Sequence, residues 1–346
     1  MAQYANAVIS KARAMYGQML SPAQYDDLLR KQNVQEISAY LREKTPYRAA
    51  LEGVQDSTIH RRQLENLLHR DLFYQYVRLA KYVREKDSIY QYIVMDLEIE
   101  LILSSLRNII SDEQEDFVAS LPTFMQPYAS FNILGLAGAR SLDEVIEAVA
   151  GTVYEPVLRR CQKQHPPEGN TLRYTRYELA LRTCYFSTLL ERAKRETRGR
   201  ASAELRELIT MRAELMNLNT IYRMKTYFQA DAHRIRVTML PFYSRLRPRQ
   251  LEEMVSARDT QAFLKLLSAT PYGRRIDPET GFFEGETDGV RYRATRRLLR
   301  FSTSPEVVYM AFMLLRSMET EDIVRIIEGV RYGLPPEKIE KLLYKA

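Results

Sequence analysis

The sequence predicts an all-α protein, and three observations carry the prediction. Apolar residues recur at intervals of three and four along most of the chain, which places one apolar stripe on one face of each helix. No comparable run alternates with period two, the signature of a half-buried strand. Breakers are scarce: 13 Gly and 14 Pro among 346 residues, roughly 8% against roughly 12% in average proteins, which favours long helices.

The helices can be justified in chain order. Ser21-Pro22-Ala23-Gln24 offers a hydroxyl N-cap, proline at the first helical position and glutamine three residues after the cap. Phe73, Tyr76, Val77, Ala80 and Val83 form the next stripe, and Ile99, Ile102, Leu103, Leu106 and Ile110 another. Ser141-Leu142-Asp143-Glu144 reads as a second capping box. Leu208, Met211, Leu215, Leu218 and Tyr222 mark a central helix. Ser304-Pro305-Glu306 opens a late helix, and Ile323, Ile326, Ile327 and Val330 stripe its end. Loops are expected at Gln162 to Asn170, with Pro166-Pro167 and Gly169, and at Asp277 to Gly289, with Pro278, Gly281 and Gly285.

An internal repeat organises these helices. Thr45-Pro46-Tyr47, Thr152-Val153-Tyr154 and Thr270-Pro271-Tyr272 each follow a short amphipathic helix, with matching apolar pairs Ile37/Leu41, Val145/Val149 and Phe263/Leu267. Upstream, Leu20 to Leu28 resembles Leu246 to Met254, both reading Leu-x-Pro-x-Gln; the middle copy has no clear version. A second element follows each tyrosine, an acid, three spaced apolar residues and an arginine: Glu98 to Arg107, Glu214 to Arg223, Asp322 to Arg331. The expected lobes are 1–112, 113–232 and 233–346, three pseudo-symmetric helical repeats. The acids and arginines of this element are expected to cap or pair within the bundle.

Composition and motifs exclude much chemistry. No GxxxxGK[ST] loop can cradle a nucleotide phosphate. His60, His69, His165 and His233 form no HExxH and no i, i+4 pair, and the two cysteines, Cys161 and Cys184, make no CxxC. No catalytic residue, cofactor or metal site is expected, and no disulfide. The longest apolar run, Val307 to Leu315, is stopped by Arg316, far short of the roughly 20 residues of a membrane span. The N-terminus carries no apolar stretch of signal-peptide type. A soluble, intracellular chain is expected.

Charge supplies the one candidate surface. Lys and Arg total 51 against 44 acids, a formal +7. Two acid-free stretches, Arg234 to Arg249 and Arg291 to Arg300, hold five arginines each; without them the balance is 41 bases to 44 acids. Arg293, Arg296, Arg297 and Arg300 fall on one helical face, with Ala294, Leu298 and Phe301 on another. Such a stripe is most often a solvated face. Its functional reading is a dock for an acidic protein surface or anionic lipid headgroups; nucleic acid fits the charge, but no recognition motif supports it. Of the 23 tyrosines, Tyr74, Tyr76, Tyr82, Tyr90 and Tyr92 crowd one region, as half-buried rings or as a contact surface.

Several segments resemble a known family. Tyr4-Ala5-Asn6-Ala7, Leu20 to Leu29 and Leu41 to Tyr47 look like the N-terminus of the V-type/A-type ATP synthase C/AC39 family, which includes the AC39 component of the eukaryotic vacuolar proton pump. Leu215-Met216-Asn217-Leu218-Asn219, with Arg223 and Lys225, is similar to its central helix, and Glu328-Gly329-Val330-Arg331-Tyr332-Gly333 resembles its C-terminus. The resemblance spans essentially the whole chain. It implies a funnel-shaped protein of three helical lobes around a pseudo-threefold axis, without an active site. It also implies a part that seats the central-stalk rotor subunits on the membrane proteolipid ring and passes torque between them. The chain would then lie peripherally on the cytoplasmic face, one copy per complex and a monomer in isolation. The competing readings are a basic helical scaffold for nucleic acid or another acidic partner, and an enzyme with an unrecognised site.

Overall fold

A computed structural model describes residues 2–82, 87–111, 121–166, 172–276 and 282–344. Among them the secondary structure is helical, with no strand. The chain divides into two compact units, Met1–Glu85 with Arg275–Ala346, and Lys86–Arg274.

The first unit holds α1 (Ala2–Tyr16), α2 (Pro22–Leu29), α3 (Val34–Lys44) and α4 (Arg61–Ala80) from the N-terminal side. The second unit contributes α5 (Tyr92–Ser111), α6 (Ile133–Gly138), α7 (Leu142–Ala148), α8 (Glu155–Gln164), α9 (Tyr174–Glu196), α10 (Gly199–Thr226), α11 (Ala232–Arg236), α12 (Pro248–Val255) and α13 (Thr260–Ser268). The first unit is completed by α14 (Phe283–Phe301), α15 (Pro305–Arg331) and α16 (Pro336–Glu340).

In the first unit α15 is the core helix. It is packed by α1, α2, α3, α4, α14 and α16, so it buries residues around its whole circumference, from Val307 and Val308 to Ile326 and Ile327. A helix apolar all round must be surrounded. Ser304 caps it, accepting from Val307 N–H, with Pro305 at the first position as its sequence predicts. Its end is a Schellman motif: Leu334 N–H donates to Gly329 C=O at 2.9 Å and Gly333 N–H to Val330 C=O at 3.0 Å. Gly333 sits at φ +66°, where a side chain is strained. Gly329 has a different task. A Cβ there would lie 2.6 Å from Ile339, so its bareness lets α16 close onto α15.

The capping predictions hold at Ser21, whose hydroxyl accepts from Gln24 N–H at 3.3 Å while Gln24 Oε1 accepts from Ser21 N–H at 2.9 Å. At Ser141 only half the box forms. Its hydroxyl accepts from Glu144 N–H, but the Glu144 carboxylate turns to Arg140 N–H. Gln250 likewise accepts from Arg247 N–H at 2.9 Å, but arginine has no acceptor to return.

One sequence expectation needs correction. The glycine-bearing stretch to Gly289 is helical from Phe283 onward. Gly285 and Gly289 mark close packing inside α14, since a Cβ at Gly285 would strike the Phe282 ring. The earlier part of that predicted loop, 277–281, lies outside the described residues, as do 167–170 of the other, Val83, and the 112/113 boundary; Gln162–Gln164 belong to α8. Of the apolar face named beside the arginines, Ala294 and Leu298 are buried and Phe301 is 70% exposed, with Leu299 also buried. The reason is the helix end. Arg13 of α1 donates to the carbonyls of Leu299, Arg300 and Ser302, which fixes the last turn and leaves Phe301 pointing outward.

In the second unit α9 packs on α5, α8 and α10. The α9–α10 connection is only Thr197 and Arg198, turned by Gly199 at φ +55°. Arg212 on α10 reaches Asp96 on α5 at 3.0 Å and Tyr185 on α9 at 2.9 Å, so one guanidinium ties three helices. Tyr76, Tyr90 and Tyr92 are buried while Tyr74 is exposed and Tyr82 is at the surface, which makes most of the crowded tyrosines core residues.

Candidate partner interface and the buried tyrosine–carboxylate joints

The Thr-x-Tyr repeat has a local explanation. In each copy the threonine hydroxyl donates back into the preceding helix, to Leu41 C=O, Val149 C=O at 2.7 Å and Leu267 C=O at 2.7 Å. The same hydroxyl accepts from the N–H of the tyrosine two residues on, at 3.2 Å in all three. This is a side-chain-built turn. It ends the helix and drives the tyrosine ring inward: Tyr47, Tyr154 and Tyr272 are 1%, 0% and 0% exposed.

Each buried ring ends on a buried carboxylate. Tyr154 donates to Glu98 at 2.6 Å, Tyr272 to Glu214 at 2.6 Å, and Tyr47 to Glu319 at 3.2 Å. The three acids are 2% exposed or less, and a charge so buried must be paired or hydrogen-bonded. Backbone donors complete each site. Leu20 N–H meets Glu319 at 2.7 Å, Ser130 N–H meets Glu98, and Ser244, Arg245 and Leu246 N–H meet Glu214 at 2.8, 2.9 and 3.1 Å. Glu319 also takes a guanidinium, from Arg316, which in turn holds Asp71 at 2.7 Å and lies 4.3 Å from the Tyr47 ring centroid. Burial raises the pKa of all three tyrosines, with the neighbouring carboxylate adding to it. The phenols therefore stay protonated and act as donors.

The third acid is not the one the sequence pattern aligns. Glu98 and Glu214 are acids of the sequence repeat, but Tyr47 selects Glu319, one turn before Asp322. Asp322 instead accepts from Tyr344 N–H at 2.8 Å and faces the Tyr25 hydroxyl at 3.5 Å. The missing middle version of the upstream piece also has a counterpart. Asn132 caps α6 through Leu134 N–H at 3.1 Å, behind buried Phe131 and the Ser130 donor. It stands where Ser21 and Arg247 stand before their helices, and shares no letters with them.

Burial shifts Glu98 in a testable direction. Desolvation raises its pKa above the ordinary 4.5, against the hydrogen bonds that lower it. The folded chain thus holds this proton to higher pH than the unfolded chain. As pH rises from the unfolded value through the folded one, ionisation costs the native state more and stability falls; below the unfolded value the cost vanishes. The stability of wild type minus that of Glu98→Gln is expected to decline over this window and flatten above it. A difference that is level or rising in urea unfolding between pH 4 and 8 contradicts the assignment.

Two other α10 side chains grip backbone as well. Asn217 donates to Leu240 C=O and accepts from Leu240 N–H, both at 2.8 Å. Lys225 donates to Val255 C=O at 3.0 Å and to Ala257 C=O. The segment Leu215 to Lys225 is therefore a row of clamps onto the loops that follow α10.

The arginine face is only partly a face. Arg293, Arg297 and Arg300 on α14 are exposed, and Arg296 is half-buried beside Tyr292. Arg293 donates to Arg275 C=O at 3.2 Å. Arg291, on the same helix, donates to the Tyr344 hydroxyl at 2.7 Å and lies over its ring. In the other acid-free stretch, Arg236 pairs with Glu252, Arg245 with Glu207 and Arg249 with Glu253. An acid-free sequence is not an acid-free neighbourhood.

The remaining candidates supply no reaction chemistry. Cys161 is buried and its thiol is pushed up to about 11 by burial, away from the thiolate range. Burial lowers His69. Among the described residues no group of three His, Cys, Asp or Glu is placed to hold a metal ion, and no helix is long and apolar enough to cross a membrane.

Comparison with known proteins agrees over nearly the whole length. A family model described as ATP synthase (C/AC39) subunit matches residues 8–342. The C subunit of the A-type ATP synthase of Pyrococcus abyssi (strain GE5 / Orsay) is 24% identical, covering 98% of this chain and 89% of the relative. The protein of the same name from Desulfurococcus sp. (strain SY) is 22% identical with the same coverage.

Proposed function

The chain belongs to the ATP synthase (C/AC39) subunit family, a non-catalytic subunit of rotary ATPases, and from that premise we propose that it is the central-stalk part that seats the soluble rotor shaft on the membrane proteolipid ring. In this reading it transmits torque for ion transport, and it sits peripherally at the cytoplasmic face as one copy per complex. The single observation that carries the proposal is the match over residues 8–342.

The physical features that support it concern stiffness. A torque carrier must not bend under load. The 28 residues of α10 and the 27 of α15 would each span roughly 40 Å. Both are pinned along their length by buried polar and charged side chains, Glu214, Asn217 and Lys225 on one, Arg316 and Glu319 on the other. Division into the three repeats 1–112, 113–232 and 233–346 is supported by the recurrence of the tyrosine–carboxylate joint. The pairing is cyclic, since each tyrosine meets an acid of the preceding repeat and Tyr47 meets Glu319 of the last.

The proposed docking face is Arg293, Arg296, Arg297 and Arg300, meeting an acidic partner surface or the headgroup zone. A triple variant, Arg293→Glu with Arg297→Glu and Arg300→Glu, is expected to assemble less with stalk subunits and ring in detergent. The deficit should be largest at low salt, because exposed charges are screened beyond about 10 Å at 0.1 M. Normal assembly of the variant at both low and high salt rejects this face. A wild-type chain that fractionates with nucleic acid, and never with stalk or ring, rejects the adaptor role itself.

A further inference from the structure

A cleft of about 590 Å³ opens where α9 hands over to α10, within the unit Lys86–Arg274. Its lining carries three cations, Lys194, Arg198 and Arg206, and no carboxylate. Gly199, Ser202 and Ala203 also line it, and such small side chains leave the space open. The sequence hides this feature, because Glu196 and Glu204 stand in the same stretch. Glu196, however, accepts from the Ser88 hydroxyl and Ile89 N–H, and Glu204 pairs with Arg200 at 2.7 Å. The acids are turned to other partners, and the cations of the lining are left without a counter-charge there.

Lys194 and Arg206 are exposed, and neither side chain has a partner among the described residues. Arg198 is held in place. Its Nη1 donates to the carbonyls of Lys194, Arg195 and Thr197 at the end of α9, which leaves Nε and Nη2 without a partner among the described residues. Like charges gathered in this way repel one another, and an anion placed among them removes that cost. α10 begins here with no acid in its first turn and no side-chain cap. A helix start favours anions in general; the three cations single this one out.

The lining also restricts the ligand. It holds no aromatic ring on which a base could stack and no large apolar residue to lie beside an acyl chain. A polypeptide spaces its carboxylates along a carbon skeleton that finds no apolar wall here. A phosphate chain carries adjacent charges with no carbon between them, and its oxygens accept charge-assisted hydrogen bonds. We propose that this cleft binds a soluble polyphosphate of the triphosphate type. Lys194, Arg198 and Arg206 meet its oxygens, and the Ser202 hydroxyl is a further donor. The cleft lies within one unit of this chain, so the inference does not rest on the adaptor reading.

The test follows one amide of the isolated full chain by NMR. Arg198-Gly199 is the one Arg-Gly pair in the sequence, so arginine carrying ¹³C at its carbonyl and glycine carrying ¹⁵N isolate the Gly199 signal. The probes are inorganic triphosphate, orthophosphate, acetyl-Glu-Glu-Glu-amide and phosphatidylserine vesicles, in magnesium-free buffer at low salt. Triphosphate is expected to shift the signal saturably, with a Kd below about 1 mM and roughly tenfold under that of any other probe. Binding should weaken as salt screens the exposed cations. Lys194→Gln with Arg206→Gln should bind roughly tenfold weaker. Lys163→Gln with Lys265→Gln removes two exposed cations of the same unit that do not line the cleft, and should bind as wild type does. Equal or tighter binding of orthophosphate, the peptide or the vesicles overturns the proposal. So does an unaffected cleft variant, an equal loss in the charge-matched control, or no shift with triphosphate up to about 10 mM, where even weak sites fill. Should the cleft variant fail to fold, the ranking of the probes on the native chain decides alone. Assembly with stalk and ring reports on the adaptor role and has no bearing on this result.

Discussion

Replacing Glu319 by alanine is expected to destabilise the unit formed by Met1–Glu85 and Arg275–Ala346 by about 3–5 kcal/mol, the cost of breaking a buried ion pair from one side. Domains of this kind are stable by only about 5–15 kcal/mol, so the loss is a large share of the total and should move the urea midpoint strongly downward. The size follows from what the carboxylate satisfies. Arg316 has a side chain 7% exposed and would keep Asp71 as its one acidic partner among the described residues. The hydrogen bonds that Leu20 N–H and the Tyr47 hydroxyl make to it would be lost. The chain has no Trp and 23 Tyr, so far-UV circular dichroism or tyrosine fluorescence in urea gives the readout. Adding Arg316→Met removes the orphaned charge. In the Glu319→Ala background it should cost less than in wild type by about 1–3 kcal/mol, the coupling expected of contacting residues. Additive losses would show that the two side chains do not act as one ion pair.

What the sequence could and could not show separates along chain distance. The Thr-x-Tyr turns were legible because everything that builds them lies within four residues: the threonine hydroxyl reaches back three or four positions and forward two. Helix starts at Ser21 and Ser304 were legible for the same reason. The acid that receives Tyr47 was not. Glu319 and Asp322 both suit the helical pattern, and the choice is made by packing across 272 positions of chain. Asn132 hid the middle copy's helix start because Asn and Ser-Pro solve one capping problem with different letters. Charge misled in the same way. Arg236 and Arg245 stand in an acid-free stretch, yet fold onto Glu252 and Glu207. The α14 arginines share a helical face, yet Arg296 is half-buried while Arg293, Arg297 and Arg300 are exposed, a difference that spacing alone does not show.

Replacing Glu214 by alanine should act on the second unit with comparable force and a different pattern. This carboxylate accepts three consecutive backbone N–H groups, from Ser244, Arg245 and Leu246, and the Tyr272 hydroxyl. No guanidinium is left stranded, since Arg245 keeps Glu207 at 2.8 Å. The loss is therefore a set of orphaned donors, each costing about 1–3 kcal/mol while it stays buried. Ser244 and Arg245 are half-buried and can turn to water, but Leu246 is 4% exposed and Tyr272 0%, so about 3 kcal/mol is expected in total. Asn217 still holds Leu240 from both sides, which confines the damage to the segment after it. Hydrogen exchange should show this directly. Amides 244–246 are expected to exchange about 100-fold faster, since 1.4 kcal/mol is tenfold, while Leu240 N–H keeps most of its protection. Tyr272→Phe removes one donor and leaves the carboxylate with three, and should cost only about 1 kcal/mol. If Glu214→Ala and Tyr272→Phe prove equally mild, the backbone clamp does not hold this loop. If Leu240 loses protection as fully as Leu246, the clamps along α10 open together and the row is one cooperative unit. The expected outcome is the staged one, because Asn217 and Glu214 hold different amides with separate side chains.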